Sequence, residues 1–245
     1  MNTRPVGHLG GQTVVVIGGS SGIGLATAGR ARAEGADVII TGRNPDRLAQ
    51  AGREVGASTV PFDALDFDRL GQFFDELPTS IDHVLVSGSG PYYAPLAEFD
   101  YKAGGRDVDA HLWLQVHVAQ HAASKVRPGG SLLFIGGTGG RRQEVGFTLI
   151  SALTAALPAL ARNLAFEIAP VRVNVIAAGF VDTPLSASLL GDRIAERREQ
   201  LRTSLPIGRV VGPDDIAALA VHLMANTAVT GATYDIDGGQ QLVNS

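Results

Sequence analysis

The chain has 245 residues, a formal net charge of −4, 45% apolar residues and only 18% charged ones. That balance fits one α/β domain with a large buried core and excludes a disordered or coiled chain. The charge favours neither nucleic acid nor an anionic membrane, and the lack of cysteine excludes disulfides and thiolate-bound metal. No signal peptide and no apolar run of membrane length is read, so the expectation is a cytoplasmic protein with no metal site.

Apolar β-rich runs alternate with helical patterns along the chain. Strands are predicted over Thr13–Ile17, Asp37–Thr41, Thr59–Phe62, His83–Ser87, Ser131–Ile135, Arg172–Ile176 and Thr233–Ile236. Helices are predicted over Ile23–Ala33, Pro45–Val55, Phe67–Leu77, Lys102–Val126, Thr148–Ile168 and Pro213–Met224. Strands apolar on both faces, alternating with helices, predict a parallel sheet covered on both sides. Right-handed crossovers then make it a doubly wound Rossmann fold, read as a single domain over 1–245. Ligands in such sheets bind at the carboxyl ends of the strands.

Between the first predicted strand and helix lies Gly18-Gly19-Ser20-Ser21-Gly22-Ile23-Gly24. Glycines allow a sharp turn and close approach of a ligand, and the helix N-terminus that follows attracts phosphate. Gly18, Ser20, Ser21, Gly22, Ile23 and Gly24 are therefore assigned to a nucleotide, against the alternative of an ordinary turn. At the end of the second strand, where an NAD-binding unit carries a carboxylate for the ribose 2′-OH, this chain has Gly42 followed by Arg43 and Asn44. An arginine pairs with a 2′-phosphate that a carboxylate would repel, which favours NADP(H) over NAD(H). Asp63 and Ala64 end the third strand, where a carboxylate can accept from the adenine amino group. Ser87, Gly88 and Gly90 end the fourth, where small residues let the backbone pass beneath the cofactor.

These motifs, in this order, resemble the short-chain dehydrogenase/reductase family. Ser87–Gly90 stands where the family has Asn-Asn-Ala-Gly. Arg172–Ile176 followed by Ala178–Pro184 is similar to the strand and loop that meet the nicotinamide, which implies contacts from Gly179, Val181 and Thr183. Asp237-Gly238-Gly239 matches a C-terminal signature. The resemblance implies hydride transfer, with a tyrosine as proton donor, a lysine that lowers its pKa, a serine on the substrate oxygen and an asparagine behind the lysine.

Aligned from Asn163–Pro170, the tyrosine and lysine positions are Ile150 and Thr154; the serine position is Gly137, beside Thr138, and the asparagine position is His111. No tyrosine lies between Tyr101 and Tyr234. The expected protein is an atypical member lacking the Asn-Ser-Tyr-Lys set. In one reading it remains an oxidoreductase for a hydrophobic carbonyl, enone, imine or quinone, with His111, Thr138, Tyr92 or Tyr93 as replacement reacting groups. In the other it performs a redox-neutral cyclisation or isomerisation, or holds NADP(H) without catalysis.

Thr148–Ala161 carries no charge, which predicts burial against the sheet and a partner subunit; the resemblance implies a homodimer or homotetramer. Pro158 inside it predicts a kink or hydrogen-bond gap near Thr154. Pro184–Pro206 (184–206) predicts a helical substrate lid, apolar inward and charged outward. Phe147, Ile150, Leu153, Phe180 and Leu185 predict an apolar pocket.

Overall fold

β1 (Thr13–Ile17), β2 (Asp37–Gly42), β3 (Ser58–Pro61), β4 (Ile81–Val86), β5 (Val126–Gly137), β6 (Arg172–Ala178) and β7 (Thr233–Ile236) form one sheet in the order β3-β2-β1-β4-β5-β6-β7. Every neighbouring pair is parallel. The structure, a computed structural model, describes residues 8–243 except Thr79, Ser89 and Arg142. The helices among those residues are α1 (Gly22–Ala33), α2 (Pro45–Val55), α3 (Phe67–Glu76), α4 (Tyr101–Val108), α5 (Leu114–Ala122), α6 (Thr148–Glu167), α7 (Pro184–Leu190), α8 (Ile194–Ser204) and α9 (Pro213–Ala225).

Alternation along the strands divides the core into two layers. Val14 and Val16 of β1 face Ala28, Leu48, Ile216 and Ala220 of α1, α2 and α9. Val15 and Ile17 face the layer holding Leu70, Phe73, Val118 and Leu157 of α3, α5 and α6. Both faces are covered, as the apolar strands required. The strand order reverses between β1 and β4, and the glycine loop after β1 lies at that switch point.

Several expectations needed correction. The helix expected over Lys102–Val126 is α4, a π-helical turn over Asp109–Trp113, and α5, ending at Ala122. The Leu114 N–H reaches back five residues to the Asp109 carbonyl, which marks the extra residue in the turn. The Val126 end of the expected helix instead opens β5. There Ile81 pairs with Val126 but His83 pairs with Ser131, so Pro128-Gly129-Gly130 is a bulge within the strand rather than a loop before it. Gly130 is needed at that point, because a Cβ would lie 2.3 Å from the Asp82 carbonyl oxygen.

α6 is long and apolar enough to cross a membrane, which corrects the reading that no run is; in this fold one stripe of it packs on the sheet. It is not buried all round in the single chain. Ile150, Leu153, Leu157 and Ala161 are buried, while Ala152, Ala155 and Ala159 are exposed and Phe166 is 89% exposed. Pro158 does not interrupt the helical assignment, but it supplies no N–H to the Thr154 carbonyl.

Two buried polar clusters hold the end of the sheet opposite the glycine loop. The Arg172 guanidinium donates to five backbone carbonyls, those of Gly129, Leu223, Met224, Asn226 and Val229, at 2.7–3.2 Å. His83 donates from Nε2 to the Gln12 amide oxygen (2.6 Å) and accepts at Nδ1 from the Ser131 hydroxyl (2.8 Å), the pattern of a neutral ring. Burial, and then the Arg172 and Arg127 cations, push its pKa down to about 3. The unfolded chain therefore binds a proton near pH 6.5 that the folded protein refuses, so this group's contribution is intact above pH 6.5 and lost as pH falls toward 3. The loss between pH 7.5 and pH 5 is expected to be about 2 kcal/mol, from about 1.4 kcal/mol per pK unit. Urea midpoints at the two pH values measure it, and His83→Gln should flatten that part of the profile.

Candidate functional site

The glycine loop crosses the end of the sheet at van der Waals limits. Gly18 has φ +85°, and a Cβ there would sit 2.2 Å from the Ser87 carbonyl oxygen. A Cβ on Gly24 would sit 2.2 Å from the Gly18 carbonyl oxygen, so α1 can start this close to β1 only without a side chain. Gly22, at φ +55°, faces Thr183, which brings the loop after β6 beside the glycine loop. The α1 N-cap, Ser21, is extended and its side chain makes no capping bond. The first N–H groups of α1 thus keep their hydrogen-bonding capacity and the positive end of the helix dipole for an anion.

Around this loop the predicted residues converge. Thr41 ties β2 to it through Gly19 N–H to the Thr41 carbonyl (2.9 Å). Gly42 faces Ser20, where a Cβ would lie 3.2 Å from the Ser20 hydroxyl oxygen, and Arg43 is exposed at the same strand end. Ser87 N–H bonds the Ile17 carbonyl (2.9 Å), placing the β4 end beside β1. A Cβ on Gly88 would meet open space, whereas Gly90 lies under Leu185 of α7; Ser89 falls outside the described residues. Gly179 is pressed against Asp237 and Gln240, Val181 is buried, and Thr183 caps α7 by accepting from Ser186 N–H (3.2 Å).

Two predicted contacts also have local structural roles. Asn44 caps α2 through Arg47 N–H (2.9 Å), and Asp63 accepts from Leu65 N–H (3.1 Å) in the turn that includes Ala64. A phosphate-bearing dinucleotide fits this set. The α1 N-terminus offers its unpaired N–H groups to a phosphate, and Arg43 brings positive charge to the end of β2.

The predicted reacting groups surround the loops after β4 and β5. His111 lies in the π-helical turn with Nδ1 hydrogen-bonded to the Asp107 main-chain carbonyl (3.1 Å) and 3.0 Å from Asp107 Oδ1. Tyr92 donates its N–H to the same carboxylate oxygen (3.2 Å), and its hydroxyl accepts from Asp100 N–H (2.8 Å) at the start of α4. Tyr93, 47% exposed, stacks on Phe147 with ring centroids 4.8 Å apart. Thr138 is buried and links β5 to β6 through its N–H to the Ala178 carbonyl (2.9 Å).

Ile150 is buried in the first turns of α6. Thr154, one turn later, bends its hydroxyl back to the Ile150 carbonyl (2.8 Å). Thr154 borders a cavity of about 230 Å³ with Gly136, Gly137, Gly140, Pro158 and Val175. The rim residue Arg141 is bound to Asp235 of β7 and to the Gln241 amide oxygen (2.8 Å). Partners raise the Arg141 pKa and lower that of Asp235, chiefly through their mutual hydrogen bond.

The stretch expected to form a lid is α7, a short 3₁₀ turn and α8. Its leucines do not all turn inward. Leu185 and Leu189 stay partly exposed, and the buried anchors are Leu201 and Leu205. Arg198 clamps α8 to the loop after β6 through a bidentate pair with Asp182, 2.8 and 2.9 Å.

Sequence reasoning missed Asp107. Its spacing, four residues before His111, was a usable signal, but its burial was not.

The family model described as Enoyl-(Acyl carrier protein) reductase matches residues 17–241. The chain is 29% identical over 253 residues to the short-chain dehydrogenase/reductase ATR9 of Stachybotrys chlorohalonatus, covering 94% of this chain and 96% of that one. Among solved structures it resembles BdcA in complex with NADPH, with TM-score 0.85, 29% identity and 95% of each chain covered. It also resembles the MalC reductase/Diels-Alderase of Malbranchea aurantiaca, with TM-score 0.89, 26% identity, and 98% of this chain and 100% of that one covered.

Proposed function

The chain belongs to the short-chain dehydrogenase/reductase family, and on that footing we propose that it is an NADP(H)-dependent oxidoreductase for a hydrophobic carbonyl, enone, imine or quinone, working without the usual tyrosine–lysine pair. The observation that carries the cofactor half is the uncapped α1 N-terminus under a side-chain-free glycine crossing. The solved relative with bound NADPH supports the same reading.

The bound nicotinamide would supply hydride to the substrate carbon. The protein supplies the rest. The α1 N–H groups hold the pyrophosphate, Ser20 and Arg43 receive the 2′-phosphate, and Gly90 and Leu185 close the substrate side. Phe147, Phe180 and Leu185 give that side its apolar character, with Ile150 in the wall behind. The exposed face of α6, with Phe166, Ala152 and Ala159, suits contact with a second copy in a homodimer or homotetramer.

Purified protein should quench or shift NADPH fluorescence and oxidise NADPH with at least one member of a carbonyl, enone, imine and quinone panel. NADPH binding with no oxidation by any member would overturn the redox half. The relative that is both reductase and Diels-Alderase supports, as a second reading, a cyclisation in the same pocket, which would then show as product formed without NADPH loss. Arg43→Glu should raise the NADPH dissociation constant about 10- to 100-fold, the value of one charge-assisted phosphate contact at about 1.5–3 kcal/mol. It should leave NADH binding nearly unchanged. Equal effects on both nucleotides would remove Arg43 from the 2′-phosphate site.

A further inference from the structure

The helical run from α4 to α5 carries three histidines, and their surroundings differ. His117 stacks on Phe67 of α3 with centroids 4.0 Å apart, and His121 lies parallel to Phe74 and against Gly71. Both rings pack α5 onto α3. His111 instead sits in the π-helical turn beside a carboxylate. Its Nδ1 lies 3.1 Å from the Asp107 main-chain carbonyl oxygen, to which it hydrogen-bonds, and 3.0 Å from Asp107 Oδ1, with side chains 15% and 3% exposed respectively. Asp107 is also fixed from the other side, since Oδ1 accepts from Tyr92 N–H in the loop after β4.

The second oxygen, Asp107 Oδ2, is buried with no hydrogen-bond partner among the described residues. Farther along the same run, Gln115 Oε1 is in the same state, while Gln115 Nε2 reaches the Ala110 carbonyl at 3.4 Å. A buried carboxylate with an unused lone-pair face is costly, and native folds rarely keep one without a use. A carboxylate hydrogen-bonded to Nδ1 of an imidazole holds the ring's tautomer and stabilises it when Nε2 takes a proton.

We propose that Asp107 and His111 form the proton-transfer dyad of this site, with Asp107 as positioning residue and His111 Nε2 as the atom that exchanges the proton. The proposal rests on the oxidoreductase reading above. In the reductive direction the substrate carbon receives two electrons as the hydride supplied by NADPH, which leaves as NADP⁺. The substrate oxygen or nitrogen takes one proton from His111 Nε2. The neutral ring keeps its Nδ1 proton on Asp107, and solvent water restores the proton on Nε2.

Three measurements test this. Nitrogen-15 NMR of histidine-labelled protein should find His111 in the Nδ1–H tautomer when neutral, which the Asp107 carbonyl and carboxylate both require; the Nε2–H tautomer would overturn the dyad. Carbethoxylation by diethyl pyrocarbonate, followed by peptide mass spectrometry, should label His111. The reaction should slow at least fivefold with saturating NADP⁺ and at least fivefold in Asp107→Asn, while His117 and His121 keep their rates. An unlabelled His111, or one indifferent to both changes, would overturn the dyad too. With 4-nitrobenzaldehyde as probe, His111→Gln and Asp107→Asn should each lower kcat about 100-fold, the low end of general acid–base contributions, with KM and NADPH affinity unchanged. Unaltered kcat in both folded variants refutes the role. If wild-type protein binds NADPH but does not turn over the probe panel, the oxidoreductase reading fails, whereas the labelling rates of wild type and Asp107→Asn still decide whether the dyad exists. If Asp107→Asn does not fold, the wild-type tautomer, the NADP⁺ protection and His111→Gln carry the test.

Discussion

Arg172→Met is expected to lower the unfolding free energy by about 3–5 kcal/mol, the cost of leaving several buried polar groups without their partner. Two of the carbonyls that Arg172 binds, those of Leu223 and Met224, belong to the last turn of α9, where the chain has no further N–H to offer them. The cation also faces the negative end of that helix dipole. The other three carbonyls fix the β5 bulge at Gly129 and the segment leading into β7. Among the described residues no carboxylate is a hydrogen-bond partner of Arg172, and burial lowers its pKa. Methionine fills much of the same volume and satisfies none of these oxygens. Arg172→Lys should recover only part of the loss, because an ammonium cannot reproduce the planar fork. Denaturant titration of the three proteins measures the effect, and a change below about 1 kcal/mol for methionine would show that water replaces the guanidinium at little cost.

Gly18→Ala is expected to weaken NADPH binding at least about 100-fold, equivalent to about 2.7 kcal/mol. The backbone there is at φ +85°, which strains any L side chain, and the added carbon would meet the Ser87 carbonyl oxygen at 2.2 Å. Relief requires the glycine loop to lift from β4, and the α1 N–H groups move with it away from the pyrophosphate. Gly105→Ala in α4 is the control, since a Cβ there also meets nothing within 4 Å and the residue lies outside the nucleotide loops. Fluorescence titration should show near-normal binding for Gly105→Ala and loss for Gly18→Ala. Normal affinity in a folded Gly18→Ala protein would mean that the phosphates do not sit on this loop.

Much of the fold was readable because its signals are local. β1 and the α2 boundaries match the predicted residues, and β2 and β6 start where expected. Glycines at forced crossings, Asn44 before Pro45 and Thr183 before Pro184 are likewise signatures of adjacent chain. The switch point after β1 came with them, since it follows from strand order.

What escaped the sequence depends on contacts between distant segments. The helical pattern ran through Asp109–Trp113 without a mark of the extra residue there. The Pro-Gly-Gly of β5 looked like a loop because its pairing partner, β4, lies far back in the chain. Which stripe of α6 meets the sheet was also not legible, because Thr148–Ala161 is uncharged on every side and only the packing of Ile150, Leu153, Leu157 and Ala161 selects one face.

The division is clearest at the two halves of the site. Composition, alternation and the run from Gly18 to Gly24 by themselves determined a parallel α/β sheet and a glycine turn into an uncapped helix start, because glycine geometry and strand periodicity act over a few residues. Only the tertiary structure decided that Tyr92 anchors α4, that Thr154 bends its hydroxyl into its own helix, and that His111 faces a buried Asp107 while His117 and His121 pack on rings. Those outcomes turn on burial and on partners supplied by other elements.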